Sequence, residues 1–320
     1  MASTHSDPAF RSEMLESILD EVRPLTAEGT VASYIPALAA ISHERLAIAA
    51  WTREPGLLHQ HHDQVVGAGD ADVKFSIQSM AKVFGLTVAL QAGLDEELWA
   101  RSGREPSGDP FNSMVLLERE QGRPRNPFIN AGAIVVSDLL RTHVDDPVQR
   151  ILALISRLTG EPISIDPEVA DSERETGFRN RSMANLMRAF GNIHNEVERT
   201  LDVYFRQSSI SMTPRQVARA IRFLAADGVD PASGEQILAP LQVRQINAVM
   251  LMAGTYDAAG AFAFEIGVPC KSGVGGGIMA VVPERATVCV WSPALDETGN
   301  SLAGRAALAA FVAQTGLTVF

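Results

Sequence analysis

Cysteine is nearly absent from this 320-residue sequence. Cys270 and Cys289 are the only two, so the chain has no disulfide framework and no cysteine spacing typical of a metal site. A net charge of −11 argues against nucleic acid or an anionic membrane as a partner. No apolar run reaches the roughly 18 residues that a membrane span needs. The N-terminal stretch has neither the basic leader nor the apolar core of a signal peptide, so the expected location is the cytoplasm.

Lysine is also scarce. Only three of the 27 basic residues are lysines, at Lys74, Lys82 and Lys271, and the others are arginines. A buried lysine can lose its proton and act as a base, whereas arginine stays charged. Each lysine is therefore a candidate for a role that arginine cannot fill.

The whole sequence is 46% apolar and 20% charged, the composition of an ordinary globular protein. A helical segment is predicted over residues 1–27. Strand patterns occupy 28–78 and return in 255–320, where "AFAFEIG" is the first predicted strand and a helix is the last element. Residues 79–254 are predicted to be helical. We therefore expect an α/β (α+β) fold: one antiparallel sheet built from both ends, flanked by the N- and C-terminal helices, with an inserted all-helical lobe.

The segment Ser79-Met80-Ala81-Lys82 lies where the first sheet segment meets the helical lobe, a place where clefts form. A serine at a helix start is surrounded by free backbone N–H groups and the positive end of the helix dipole. Lys82 follows on nearly the same helical face, and as a neutral amine it could take the hydroxyl proton. The alternative is an N-cap serine followed by a lysine that covers apolar surface. The spacing alone does not decide.

A second motif, the glycine-rich "KSGVGGG", occupies residues 271–277. A phosphate-binding loop is one interpretation, but such loops open helices, and here the strand-like "IMAVV" follows. Glycines at a strand edge let a substrate carbonyl approach the backbone, so the Val274 N–H is a candidate oxyanion-hole donor. S-x-x-K and K-T-G occur together in β-lactamases and penicillin-binding proteins, and K-S-G is a variant of K-T-G in which one hydroxyl residue replaces another.

Eight stretches carry a more specific resemblance: "VASYIPALA", "FSIQSMAKVF", "EPSGDPFNS", "RNPFINAGAIV", "SERETGFRNR", "LDVYFRQSSISMT", "GTYDAAG" and "KSGVGGGIMAVVP". In this order they resemble the serine-dependent bacterial glutaminases, which have a β-lactamase-like fold, over residues 28–316. The resemblance implies hydrolysis of L-glutamine to L-glutamate and ammonia, no metal or organic cofactor, and a homodimer or homotetramer. It departs from the family at Met80-Ala81, Ser208 and Cys270, and none of these changes removes a functional group.

Carried onto this sequence, the resemblance implies Ser79 as nucleophile and Lys82 as its base. The backbone N–H groups of Ser79 and Val274 would form the oxyanion hole. Either Lys82, Tyr204 or Tyr256 could protonate the leaving ammonia. The implied substrate contacts are Tyr34, Ser79, Asn130, Glu173, Asn180, Tyr204, Tyr256 and Val274.

The chemistry of these residues suits a zwitterion on its own terms. Glu173 can bind an α-ammonium group, and Asn130, Asn180 and tyrosine hydroxyls can donate to an α-carboxylate. The chain has three tyrosines, and all three stand at the implied substrate positions.

Other interpretations stay open. The "HQHHD" run from His59 to Asp63 could bind a metal, although its ligands are too close together for one tetrahedral site, and Cys270 could be a reactive thiol. The rival functions are a β-lactamase-like serine esterase or amidase, which would turn over a chromogenic lactam or ester, and a non-catalytic glutamine-binding protein. A binder would be stabilised by glutamine without releasing ammonia.

Overall fold

A computed structural model of the chain describes residues 8–53, 64–108 and 112–320. The helices are α1 (Pro8–Val22), α2 (Pro36–Ala39), α3 (Ala81–Gln91), α4 (Asp95–Arg101), α5 (Met114–Arg119), α6 (Asn130–His143), α7 (Pro147–Thr159), α8 (Pro167–Thr176), α9 (Phe178–Ala189), α10 (Val197–Ser208), α11 (Pro214–Ala220), α12 (Pro240–Ala253), α13 (Ala259–Glu265) and α14 (Leu302–Thr315). The strands are β1 (Ala47–Thr52), β2 (Val66–Gly69), β3 (Phe75–Ser76), β4 (Ser164–Ile165), β5 (Ile210–Met212), β6 (Cys270–Ser272), β7 (Gly277–Val282) and β8 (Ala286–Trp291). Among the described residues, none of these helices has both the length and the apolar character needed to cross a bilayer.

The larger sheet joins strands from the two ends of the chain in the order β2-β1-β8-β7-β6. Every pair in it is antiparallel, and the central pairing sets Ala47 of β1 opposite Trp291 of β8. The prediction that distant strands share one antiparallel sheet is confirmed.

Both faces of this sheet are buried, because its side chains alternate between two separate apolar clusters. Trp51 and Trp291 point into the cluster formed with the helices of residues 79–254. Ile48 and Val290 point into the cluster formed with α1, α13 and α14. The three central strands, β1, β8 and β7, are therefore almost entirely apolar, as expected where a sheet is covered on both sides.

Helix α3 is the central helix of the inserted segment. Every residue from Ala81 to Leu90 is buried, and the helix packs against α6, α7 and α10. A helix that is apolar on all sides must be enclosed in this way. Lys82 is the one charged residue in α3, and it lies in the first turn.

The predicted helix ends agree with the structure at α7. This helix has Pro147 in its first turn and Gly160 in the left-handed conformation at its end, with a φ of 71°. The predicted Thr213 start of α11 is also confirmed, as a capping box with Gln216. That helix is shorter than predicted, because a 3₁₀ turn, Arg222–Ala225, follows it.

Two expectations need correction. The "AFAFEIG" segment is not a strand but lies mostly in helix α13, with Phe262 buried and Phe264 93% exposed. Residues two apart point to nearly opposite sides of a helix as well as of a strand, so a short alternation fits both. The predicted all-helical lobe also contains β4 and β5, which form a small sheet with β3 in the order β3-β5-β4. Strands of two or three residues carry no detectable periodicity.

Candidate active site

One cavity of about 300 Å³ gathers most of the predicted site residues. Among the described residues, its lining is Tyr34, Ile35, Gln78, Ser79, Asn112, Asn130, Glu173, Thr176, Gly177, Arg179, Asn180, Tyr204 and Val274. Tyr34 and Val274 come from the segments that hold the large sheet, whereas Asn130 and Glu173 come from the helical insertion. Lys82 and Tyr256 are not part of this lining, but each contacts a residue of it: Lys82 is hydrogen-bonded to Asn130, and Tyr256 to Ser79.

Ser79 stands in a 3₁₀ turn, Gln78–Met80, that leads straight into α3. The preceding Gln78 is in the left-handed region with a φ of 47°, which costs a non-glycine residue roughly 1–2 kcal/mol. The Ile77 N–H donates to the Ile210 carbonyl at 2.9 Å, so the small sheet fixes the chain just before this turn. Ser79 is thus held at a helix start, as the sequence predicts, and is 8% exposed.

The glycine-rich motif forms the turn between β6 and β7 and packs against the backbone of the serine turn. A Cβ on Gly273 would lie 2.6 Å from the Ile77 carbonyl oxygen and 3.2 Å from the Ser79 nitrogen. Trp291 stabilises the turn by donating its indole N–H to the Gly275 carbonyl at 3.0 Å. The lack of a side chain at position 273 therefore brings the Val274 backbone close to Ser79.

This close approach makes Gly273 a sensitive position. In Gly273→Ala the methyl group must push the two turns apart, and we expect kcat to fall by about 100-fold, because displacements near 1 Å at a reacting centre have effects of this size. Gly260→Ala is the matched control, since a Cβ there meets nothing within 4 Å. Steady-state kinetics together with thermal unfolding of both variants test this, and an unchanged kcat in Gly273→Ala would contradict it.

Lys82 is 2% exposed, and its amine donates to the Phe128 carbonyl at 3.1 Å and to Asn130 Oδ1 at 2.8 Å. Neither bond is to Ser79. Burial lowers the pKa of Lys82 to about 7, with the negative charge of Glu173 opposing the change. A neutral amine has two N–H donors, which these acceptors satisfy, and one free lone pair. Burial therefore favours the neutral form that a base requires.

Glu173 stands in the last turn of α8 and is 7% exposed. Burial raises its carboxyl pKa to about 7, while a hydrogen bond from Gln78 and the charge of Lys82 act in the opposite direction. Asn130 connects the Lys82 amine to Asn180, because its Nδ2 donates to Asn180 Oδ1 at 3.1 Å. The cavity thus holds both a buried acid and two hydrogen-bonded amides.

The two buried tyrosines differ in their partners. Tyr204 lies on α10 with its ring centroid 6.0 Å from the Lys82 amine, and burial raises its pKa well above the usual value. Tyr256 donates its hydroxyl proton to the Ser272 carbonyl at 3.3 Å. Burial raises the pKa of Tyr256 to about 12, while hydrogen bonds with Ser79 and Ser272 lower it. Tyr256 therefore contacts Ser79 although it does not line the cavity.

Lys271 is fully buried and donates to the carbonyls of Gly254 at 2.9 Å and Ser272 at 2.5 Å. Burial lowers its pKa, and the charge of Lys82 adds to this. It joins β6 to the segment that carries Tyr256.

Two other sequence interpretations have different outcomes. Cys270 points to the opposite face of the sheet, in the cluster that contains α14, and burial raises its thiol pKa, so it is a poor nucleophile. The run from His59 to Asp63 lies outside the described residues.

The family model described as Glutaminase matches residues 29–320. The chain belongs to the glutaminase family. It is 49% identical to a glutaminase of Vibrio cholerae serotype O1 over 310 residues, which covers 97% of this chain and 99% of the relative. It is 51% identical to a glutaminase of Aeromonas salmonicida over 310 residues, with the same coverage of 97% and 99%.

Solved glutaminase structures share the fold. A probable glutaminase of Bacillus subtilis superposes with a TM-score of 0.86 at 32% identity, covering 97% of each chain. A probable glutaminase from Bacillus subtilis complexed with 6-diazo-5-oxo-L-norleucine superposes with a TM-score of 0.85 at 31% identity, covering 100% of this chain and 99% of that one. The fold is the β-lactamase-like fold of the glutaminases.

Some cavity residues of this glutaminase are missed by the sequence reasoning. Gln78 is adjacent to Ser79, but its positive φ, which turns the chain into α3, leaves no mark in the sequence. Thr176, Gly177 and Arg179 lie within "SERETGFRNR", where the resemblance implies only Glu173 and Asn180 as contacts. The motif was therefore the available signal for them.

Proposed function

We propose that this chain is a glutaminase that hydrolyses L-glutamine to L-glutamate and ammonia through an acyl-enzyme on Ser79, with Lys82 as the base. The observation that carries the proposal is the shared cavity, which is lined by a serine at a helix start, by a buried carboxylate and by Asn130, to which the buried Lys82 amine is hydrogen-bonded. Membership of the glutaminase family supports the same reaction.

In the acylation step, the neutral Lys82 amine accepts the Ser79 proton as Oγ forms a bond to the side-chain carbonyl carbon of glutamine. The oxyanion then develops between the backbone N–H groups of Ser79 and Val274. The C–N bond breaks as the proton that Lys82 took from Ser79 reaches the nitrogen, either directly or by relay through Tyr256, and ammonia leaves. In deacylation, the neutral Lys82 amine accepts a proton from water as the water oxygen bonds to the ester carbonyl carbon; the C–Oγ bond then breaks, Lys82 returns the proton to Oγ, and glutamate leaves.

Substrate binding uses the polar residues of the cavity. The Glu173 carboxylate suits the α-ammonium group, and its burial makes this ion pair stronger than one in water. Asn130, Asn180 and the hydroxyls of Tyr34 and Tyr204 can serve the α-carboxylate as donors.

The two pKa values predict a pH profile. Lys82 must be neutral and Glu173 ionised, and both conditions fail as the pH falls below about 7. Because kcat/KM reports the free enzyme, log kcat/KM should rise with pH through this region with a limiting slope of about 2 on the acid side. Glu173→Gln should reduce that slope to about 1 as well as weaken binding. A flat profile across the same pH range would contradict the assignment.

Ammonia release from L-glutamine by the purified chain tests the function. L-Asparagine and a chromogenic lactam are the comparison substrates, and thermal stability with L-glutamine is measured in parallel. Turnover of L-glutamine and not of the lactam is the expected result. Turnover of the lactam would favour the serine esterase or amidase, and stabilisation by glutamine without ammonia would favour the binding protein.

The cytoplasmic location and the homodimeric or homotetrameric state stay predictions from the sequence. So does the division into a sheet lobe and a helical lobe that form one catalytic unit.

A further inference from the structure

We propose that Arg179 is a specificity-determining residue that recognises the α-carboxylate of the substrate. The inference rests on the proposed function and adds to the neutral donors named above. It gives the negative charge of the zwitterionic substrate a positively charged partner, Arg179.

Arg179 lies in the first turn of α9, directly before Asn180, and lines the same cavity as Ser79. Its Nε donates to the Asn112 carbonyl at 2.8 Å. This bond anchors the side chain at the rim, and among the described residues the terminal nitrogens of the guanidinium have no other acceptor. A guanidinium presents these donors as a planar fork that matches a carboxylate.

The charge of Arg179 has no counter-charge among the side chains that the structure describes. Within residues 8–53, 64–108 and 112–320, no carboxylate forms an ion pair with it. Its neighbours differ: Arg181 pairs with Glu198 at 2.9 Å, and Arg174 pairs with Asp171 at 2.5 Å. An unpaired surface arginine is common, but this one faces a cavity large enough for one small molecule.

Charge within the cavity points to the ligand. Among its described lining residues, only Glu173 and Arg179 carry a charged side chain. Glu173 is buried, whereas Arg179 is exposed at the mouth. A free amino acid carries one charge of each sign on one carbon. With its ammonium on Glu173, its carboxylate still needs a cationic partner, and Arg179 is the cation in the described lining.

The experiment compares L-glutamine with its α-amide, in which a neutral carboxamide of the same shape replaces the α-carboxylate. We expect Arg179→Gln to lower kcat/KM for L-glutamine by about fivefold, mainly through KM, because an exposed ion pair has an effect of this size. Its kcat/KM for the α-amide should be unchanged. If the wild type does not hydrolyse the α-amide, the α-amide is used as an inhibitor of L-glutamine hydrolysis, and its inhibition constants for wild type and Arg179→Gln are compared.

Two controls separate recognition from support of the fold. Arg188→Gln changes another exposed arginine of α9 that lies outside the cavity lining, and it should affect neither substrate. Arg179→Lys keeps the charge and should recover part of the lost KM. Equal losses of kcat/KM on both substrates would overturn the inference, since Arg179 would then act only by holding Asn112. Unchanged kcat/KM for both substrates in Arg179→Gln would overturn it as well.

The proposed function can fail separately. If the wild type releases no ammonia, glutamine hydrolysis is disproved, and calorimetric binding of L-glutamine and its α-amide to wild type and Arg179→Gln still tests the role of Arg179. A binding preference for L-glutamine that is the same in both proteins would overturn it.

Discussion

Replacing Ser79 by alanine is expected to abolish glutamine hydrolysis, lowering kcat by about 10⁴-fold or more, as loss of a serine nucleophile does in other hydrolases. Ser79 is the hydroxyl at the start of α3, against the glycine turn that carries Val274. The alanine variant keeps the cavity, so L-glutamine should still raise its melting temperature. Ammonia release and thermal unfolding measure the two effects.

Ser209→Ala is the control for that variant. Ser209 is fully buried and donates to the Phe205 carbonyl at 2.8 Å, but it does not line the cavity. Its loss should leave kcat nearly unchanged. A diazoketone analogue of glutamine, which loses dinitrogen when it alkylates a nucleophile, should label Ser79 in the wild type. Labelling of a different residue, or turnover by Ser79→Ala, would show that the nucleophile is elsewhere.

Replacing Lys82 by arginine or by methionine is expected to lower kcat by about 10³-fold, within the range for loss of a general base. Arginine keeps the positive charge but cannot give up its proton, so it should be as damaging as methionine. That equality distinguishes a base from a charge that merely stabilises the transition state. The two variants are compared by steady-state kinetics at one pH above 7.

Lys74→Arg is the matched control, because Lys74 is exposed and lies outside the cavity that holds Ser79. It should have normal activity. If Lys82→Arg were also active, the base would have to be another group, and Tyr256 would be the first candidate because it hydrogen-bonds with Ser79.

The parts of the fold that were predictable have strong local signals. The strands β1, β7 and β8 are long apolar runs, and α7 begins with proline and ends before glycine, so both kinds of element are visible in the sequence. The error at α13 came from a segment too short for alternation to separate strand from helix. The small sheet of β3, β4 and β5 depends on contacts between distant residues that no local pattern records.

The site was predictable as a set of residues but not as a geometry. Spacing and resemblance brought Ser79, Lys82 and Val274 together, because each lies in a recognisable motif. They could not show that the Lys82 amine is bonded to Asn130, since burial and hydrogen bonding are properties of the packed helices. Nor could they single out Arg179, which differs from the other arginines only in what surrounds it.

The scarcity of lysine gives the site a built-in spectroscopic label. Of the three lysines, Lys74 is in solvent, whereas Lys82 and Lys271 are buried beside Ser79 and Tyr256. Protein grown on nitrogen-15 lysine would therefore have only three side-chain resonances, two of them from the active site. Their chemical shifts would follow each proton through a titration in the unmodified enzyme.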